Sequence, residues 1–322
     1  LRLWTMAGAP NGTYVNALQV LSNLYAAHKD DLQDNGEANG VRNGDLNLNM
    51  MLALSLAHAR PINLWIFNNQ TSNPVTRYEI FKSMYENGKL GNPRMFANFT
   101  VEEMRWVMTA QMDDESILWL RDYTSKFGDG FQLSARFNPY NYITYRFGYS
   151  YGNPRYYAPE NYAMWDKKYN LSAYNITYKS GYPKLWIVFE EGSVCGGLSK
   201  TGSNIQCAWG YPATPVGQPA HCAYIYMYDA GGGKNAWQLT NSVVANGWAN
   251  TTPTMMPYGW GSGGANVTNN GTIQSASYMF LSQEAQNEYD TFEKANMLML
   301  MAKVYRNDWD ALVQIYNDAY DQ

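Results

Sequence analysis

The sequence predicts an α+β protein on three observations: helical periodicity through the first 125 residues, two strands joined at Gly231-Gly232-Gly233, and renewed helical spacing after Ser282. From Val15 to His28, the residues Val15, Leu18, Leu21 and Tyr25 recur at helical spacing, and the Asn and Gly of 34–44 end the run. Asp45 is a candidate N-cap for Leu46 to Ala59, a run apolar nearly all round and therefore central to the core. Asn73-Pro74 opens a third helix, with Tyr78, Phe81 and Tyr85 on one face and Gly88 past its end. Thr100 and Glu103 form a capping box ahead of Met104, Val107 and Met108.

Twelve of the 46 residues from Phe137 to Tyr182 are Tyr, set among Asn, Pro and Gly, and helical periodicity disappears; irregular or short-stranded structure is expected over 137–181. An aromatic platform for sugar rings or an extended peptide is one reading. Half-buried tyrosines stapling a loop-rich cap is the simpler one, because no paired carboxylates accompany them for glycoside chemistry. Lys184 to Glu190 reads as a buried strand broken by Gly192, and Val194 to Trp209 as a helix stopped by Gly210-Tyr211-Pro212. Pro219 to Tyr228 and Ala236 to Val243 read as antiparallel strands, the second carrying Trp237, Leu239 and Asn241 on one face. Residues 247–275, rich in Gly, Thr and Asn, are expected to form an exposed loop. Ser282 to Lys303 and Asp308 to Tyr320 complete a C-terminal helical region. The expected organisation is thus 1–136 helical, 137–181 Tyr-rich, 182–246 a mixed core, 247–275 loop and 276–322 helical.

With 322 residues, 46% of them hydrophobic, the chain can bury a sizeable core. A net charge of -4 with 16% charged residues offers no basic surface for phosphate backbones, which argues against nucleic acid as a partner. No stretch approaches 18 apolar residues, so membrane insertion is not expected. Leu1-Arg2-Leu3-Trp4 lacks the charged start and apolar run of a signal peptide, the pattern expected of a mature chain. Glycosylation sequons begin at Asn11, Asn69, Asn98, Asn170, Asn175, Asn250, Asn266 and Asn270; random placement of the 33 Asn among the 36 Ser and Thr gives roughly four. The excess points to a secreted, extracellular protein.

Three cysteines leave at least one thiol outside any disulfide within the chain. The economical arrangement is a Cys207–Cys222 disulfide with Cys195 kept reduced as a nucleophile, three inert buried thiols being the alternative. A thiol nucleophile needs a lowered pKa, a base within reach and a group that orients the base. Cys195 stands at the start of the 194–209 helix, where backbone N–H groups and the helix dipole stabilise a thiolate. Gly196 and Gly197 follow; they either form a plain turn or let a substrate backbone approach the sulfur. His221, at a strand start, is the candidate base. The orienter belongs on the neighbouring strand, where Asn241 fits, whereas Asp229 and Asn235 sit by the glycine turn at the wrong end. Trp237 joins Gly196 and Gly197 as a candidate substrate contact. His28 and His58 sit singly on predicted helices, where packing explains them. No Cys/His/Asp cluster has zinc spacing and no Gly-rich loop precedes Lys-Ser/Thr, so neither metal nor cofactor is implied.

Gly192-Ser193-Val194-Cys195-Gly196-Gly197, Ala208-Trp209-Gly210-Tyr211-Pro212-Ala213, Ala220-His221-Cys222-Ala223-Tyr224-Ile225 and Trp237-Gln238-Leu239-Thr240-Asn241, in that order, resemble the transglutaminase-like superfamily. Its pattern is a Cys opening a helix, a G-x-P-A strand entry, a His beginning a strand and an acid on the next. The resemblance implies a papain-like α+β core with an antiparallel sheet and a nucleophile helix. It assigns Cys195 as nucleophile, His221 as base and Asn241 as orienter. It further implies attack on an amide carbonyl of a protein, a peptide, or a cell-wall or glycan-linked amide, with water or an amine resolving the thioester. The family usually carries Asp where this chain has Asn241; an amide orients the imidazole as in papain-like enzymes but adds no charge. Two other classes stay open: a non-catalytic glycan- or protein-binding module on the same fold, and a glycosidase.

Overall fold

Caps and apolar stripes set the helices of the N-terminal half. The computed structural model describes residues 13–59, 62, 72–127, 161–177, 185–218, 221–240, 256–257, 294, 298, 301 and 308–320. Helix α1 spans Thr13–His28, and a small hairpin of β1 (Glu37–Ala38) and β2 (Val41–Arg42) leads into α2 (Asn43–Ala57). α2 starts two residues ahead of the expected cap. Carbonyls just ahead of the hairpin already accept its first amides, Asn43 N–H to Gly36 O at 2.7 Å and Gly44 N–H to Asp34 O at 3.0 Å. Asp45 is therefore a first-turn residue, paired with Arg42 at 2.5 Å. α3 (Pro74–Glu86) is capped by Asn73, whose side chain accepts from Val75 and Thr76 N–H. After the short α4 (Pro93–Ala97), α5 (Val101–Met108) opens on the expected box: Thr100 Oγ1 accepts from Glu103 N–H, and Glu103 Oε2 accepts from Thr100 N–H. α6 (Asp114–Ser125) is not among the predicted helices, although Asp114 and Glu115 in its first turn and buried Ile117, Leu120 and Thr124 carry the helical pattern.

Within the Tyr-rich region, residues 161–177 are described and they are helical, which corrects the expectation there. α7 (Tyr162–Tyr169) is followed by a 3-10 turn (Leu171–Tyr174). The aromatic side chains pack inward: Trp119 stacks on Tyr123 and meets Tyr169 and Trp186 edge-on. Tyr169 OH donates to Glu190, Tyr174 OH to Asp122 and Tyr162 OH to the Ile176 carbonyl. These tyrosines are staples and not a platform; the remainder of 137–181 lies outside the described residues.

Of the run Lys184 to Glu190 expected as a strand, the described part is helical and belongs to α8 (Leu185–Glu191). Its apolar run is buried all round, with Trp186 against Trp119 and Val188 clustered with Leu198, so no period marks it as strand or helix. Helix α9 (Cys195–Ala208) leads into β3 (Ala213–Gln218), β4 (His221–Gly231) and β5 (Lys234–Thr240). With β6 (Met256–Pro257) they make an antiparallel sheet in the order β5-β4-β3-β6. β6 lies inside the region expected to be loop and pairs with Val216 and Gly217. β3 is anticipated only by the family's strand entry at Ala213. β4 is interior to the sheet, and Cys222 to Met227 are buried on both faces. Lys294, Leu298 and Met301 are helical, as is α10 (Trp309–Tyr320). One hydrophobic core runs from Leu24 through Met50, Phe81 and Trp119 to Tyr224 and Met227, so the N-terminal helices and the sheet are one packed body. Each large apolar side chain in it contributes about 1.5–3 kcal/mol. Among the described residues, no helix is long and apolar enough to cross a membrane.

Candidate active site

The turn between α8 and α9 aims the start of α9 at the sheet. Gly192 N–H closes α8 on Val188 O at 2.9 Å, and Gly192 takes φ +80, a left-handed turn that a side chain would strain. The first backbone bond of α9 runs from Leu198 N–H to Val194 O, and Val194 offers no capping side chain. The amides of Cys195, Gly196 and Gly197 thus precede the helix ladder and carry the positive end of its dipole. At the far end, Gly210 and Tyr211 N–H bond Cys207 O and Gln206 O, the stop predicted from Gly210-Tyr211-Pro212.

α9 packs on β3 and β4 on one side and on α5, α6 and α8 elsewhere, so it is buried around most of its circumference. Ser199 Oγ donates to the Cys222 carbonyl at 2.7 Å. Three residues on, a Cβ at Gly202 would lie 2.7 Å from Tyr224 Cε1 and 2.8 Å from Cζ. Contacts 199 to 222 and then 202 to 224 show helix and strand running in the same sense. Cys195 precedes Ser199 by one turn, about 6 Å, on the same helix face. About 6 Å along a strand is nearly two residues back from Cys222, so the Cys195 backbone lies near the start of β4, whose first residue is His221. Gly202→Ala is expected to cost about 1–2 kcal/mol: overpacking against the immobile Tyr224 ring, about 1–3 kcal/mol, outweighs up to ~1 kcal/mol of helix propensity. Urea unfolding checks this, and a stabilised variant would show the seam to be loose.

Of the three thiols, Cys195 is partly exposed, while Cys207 and Cys222 are buried. The expected Cys207–Cys222 disulfide is absent, and the helix explains why. Ser199 holds Cys222, and Cys207 lies eight residues farther along, about 12 Å at helical rise, beyond the reach of a disulfide. Cys207 Sγ instead meets the carbonyls of Trp106 and Ala213 at 3.5 Å, and burial pushes its thiol up to about 12. Gly196 is partly exposed and Gly197 buried. His221 is described through its backbone, and Asn241 lies outside the described residues, next in the chain to Thr240, which pairs with Tyr224.

Trp237 is not brought to this corner. It pairs with Met227, six residues and roughly 20 Å along β4 from His221, and packs edge-on against Trp106. Asp229 and Asn235 do sit at the turn end: Asp229 Oδ1 accepts from Gly231 N–H and Asn235 Nδ2 donates to Glu103. His58 Nδ1 donates to Leu54 O and its Nε2 accepts from Ser72 Oγ, with burial and then the Arg77 charge holding its pKa down to about 3. The His28 ring lies tilted against Tyr78, beside Asp31 and Glu79. Asn98, Asn170 and Asn175 are exposed; the other five sequons lie outside the described residues. Among the described residues, no group of three His, Cys, Asp or Glu could hold a metal ion.

Sequence reasoning passed over Ser199 and Lys200. Lys200 is 1% exposed, and burial brings its ammonium down to about 6 from an ordinary 10.5, the Cys222 sulfur opposing the shift. A cavity of about 260 Å³ opens between α2 and α3, and its carboxylates are Asp34 and Glu86. The Gly36 N–H and the Asn43 amide lower the Asp34 pKa, and Glu86 is tied to Lys82 at 2.6 Å. Neither is arranged as the general acid that a glycosidase needs. Comparison of the chain with protein families, curated proteins and solved structures finds no match.

Proposed function

We propose that the chain is a cysteine acyl-transfer enzyme of transglutaminase-like type, with Cys195 as nucleophile, His221 as base and Asn241 as orienter. The carrying observation is a partly exposed Cys195 opening α9, a helix packed through Ser199 and Gly202 on the strand that His221 begins. Partial exposure of Cys195 and the order of helix, antiparallel strand, base-bearing strand and next strand support the reading. The Cys195 thiolate attacks an amide carbonyl, and the first-turn amides of α9 receive the developing oxyanion. His221 takes the thiol proton and passes it to the leaving amine. The thioester left on Cys195 goes to water or to a second amine. The substrate is a protein, a peptide, or a cell-wall or glycan-linked amide, and the exposed sequons suit a secreted setting.

Iodoacetamide tests this at pH 7, with the alkylated thiol located by peptide mass. Cys195 is expected to react at least tenfold faster than a small free thiol, and His221→Ala to remove that advantage. Cys207 and Cys222 should stay unmodified in the folded chain. A Cys195 no faster than the free thiol sinks the enzyme reading and leaves the non-catalytic binding module.

A further inference from the structure

Helical spacing builds the cavity of about 260 Å³ between α2 and α3. Asn43, Leu46, Asn47 and Met50 stand at i, i+3, i+4 and i+7 and share one face of α2, while Lys82, Tyr85 and Glu86 share one face of α3. Leu46 and Met50 are buried and give the cavity an apolar floor. Asn47 lies between them at 4% exposure, a place where packing alone would set another apolar residue. Its Nδ2 donates to the Asp31 carbonyl at 3.0 Å, which fixes the end of the amide that carries oxygen. Among the described residues no donor reaches that oxygen, and a buried amide carbonyl left so is costly unless a guest supplies the bond. Asn43, half-buried one turn earlier, repeats the arrangement: its Nδ2 donates to Asp34 Oδ2 at 3.0 Å, and its oxygen is the other end. Across the cavity, Tyr85 accepts from Asn39 Nδ2 at 2.8 Å, which leaves its own O–H to donate.

We propose that this cavity binds one neutral pyranose unit, a monosaccharide or the end of a glycan, with its C–H face on Leu46 and Met50 and its hydroxyls on Asn43, Asn47 and Tyr85. Hydroxyls suit the set because each one donates and accepts, and the walls offer amide oxygens beside a phenol donor. Ions do not suit it. Lys82 is held by Glu86 at 2.6 Å, an anion would face Asp34 and Glu86, and among the described residues no group of three His, Cys, Asp or Glu could hold a metal. The volume falls below the ~300–1,000 Å³ of sites for drug-sized ligands, so one small ring is the fitting guest. The site shares no residue with Cys195, His221 and Asn241, and the inference stands apart from the acyl-transfer reading.

Saturation-transfer NMR on the full chain is the test, with glucose, galactose, mannose, N-acetylglucosamine and the methyl glycoside of each as probes. At least one is expected to bind, with a Kd on the order of 1 mM. A methyl glycoside that binds as well as its parent sugar marks the end of a glycan as the guest, and binding of the unmodified sugar alone marks a monosaccharide. Asn47→Leu is expected to weaken binding about tenfold or more, and Tyr85→Phe, which keeps the ring and removes one hydroxyl, about fivefold. Should Asn47→Leu fail to fold, Tyr85→Phe decides by itself, and undiminished binding there overturns the proposal. A parent chain that binds none of the sugars, or binds glycine or inorganic phosphate in their place, overturns it as well.

Discussion

Arg77→Met is expected to destabilise the fold by about 3–5 kcal/mol, the range for removing one partner of a buried ion pair. Arg77 is wholly buried on α3, and its guanidinium donates to Asp114 Oδ1 at 2.8 Å. Three further bonds reach the carbonyls of Met108, Ala110 and Met112, at 2.8, 3.0 and 2.7 Å. A methionine fills the volume and satisfies none of them, and among the described residues it leaves the buried Asp114 carboxylate with the Asn73 N–H. Arg77→Lys keeps the charge but lacks the planar fork, so it should recover only part of the loss. Consequences reach the site, because the Ala110 and Met112 carbonyls belong to the 109–113 turn on which α9 leans. Gln111 N–H donates to Asn204 Oδ1 at 2.9 Å, and Asn204 Nδ2 donates to Gln111 O at 3.2 Å. Urea unfolding of the variant is the measurement. A loss below about 1 kcal/mol would show that the turn holds its carbonyls without the guanidinium.

How far the molecule was legible follows from where each signal lives along the chain. Caps and stops were readable because they join residues a few positions apart: Asn73-Pro74, Thr100 with Glu103, Gly210-Tyr211. The strand reading of 184–190 failed because burial of Leu185 to Val188 on every side erases periodicity. Ile187 and Val188 are β-branched residues that favour strands, and Gly192, taken as a breaker, is in fact a helix stop. β3 was hidden by Pro215 and Gly217, residues that read as turn chemistry, yet both sit in its pairing with β4. Within the site, the positions of Cys195 at a helix start and of His221 at a strand start were legible. The tempting Cys207–Cys222 pairing was not refutable without the helix rise that separates them. Ser199, Arg77 and Lys200 act through partners 23 or more residues away, or through burial that only packing creates, and no local pattern marks them.

Lys200 carries the other large effect, of opposite sign. A lysine is seldom fully buried, and α9 holds this one at 1% exposure. With a folded pKa of about 6 against an ordinary 10.5, the amine is neutral in the folded chain and charged in the unfolded one between those values. The unfolded state therefore binds the extra proton, and the cost to stability is largest below about pH 6 and fades as pH rises toward 10.5. Lys200→Met keeps an unbranched side chain of similar length and removes the titration, so it is expected to stabilise the fold by on the order of 2–4 kcal/mol near pH 7. That advantage should shrink by roughly 1 kcal/mol for each pH unit between pH 7 and 9. Paired urea titrations at the two pH values decide the matter. A constant difference between variant and parent would mean that Lys200 folds in charged, with its proton held by the surroundings of Cys222. If the expected narrowing appears, α9 tolerates a neutral amine beside the base-bearing strand at a standing loss of stability. Burying such a group against the Ser199–Cys222 seam is then a feature that stability alone does not explain, and the Cys195 alkylation profile of Lys200→Met shows whether the site depends on it.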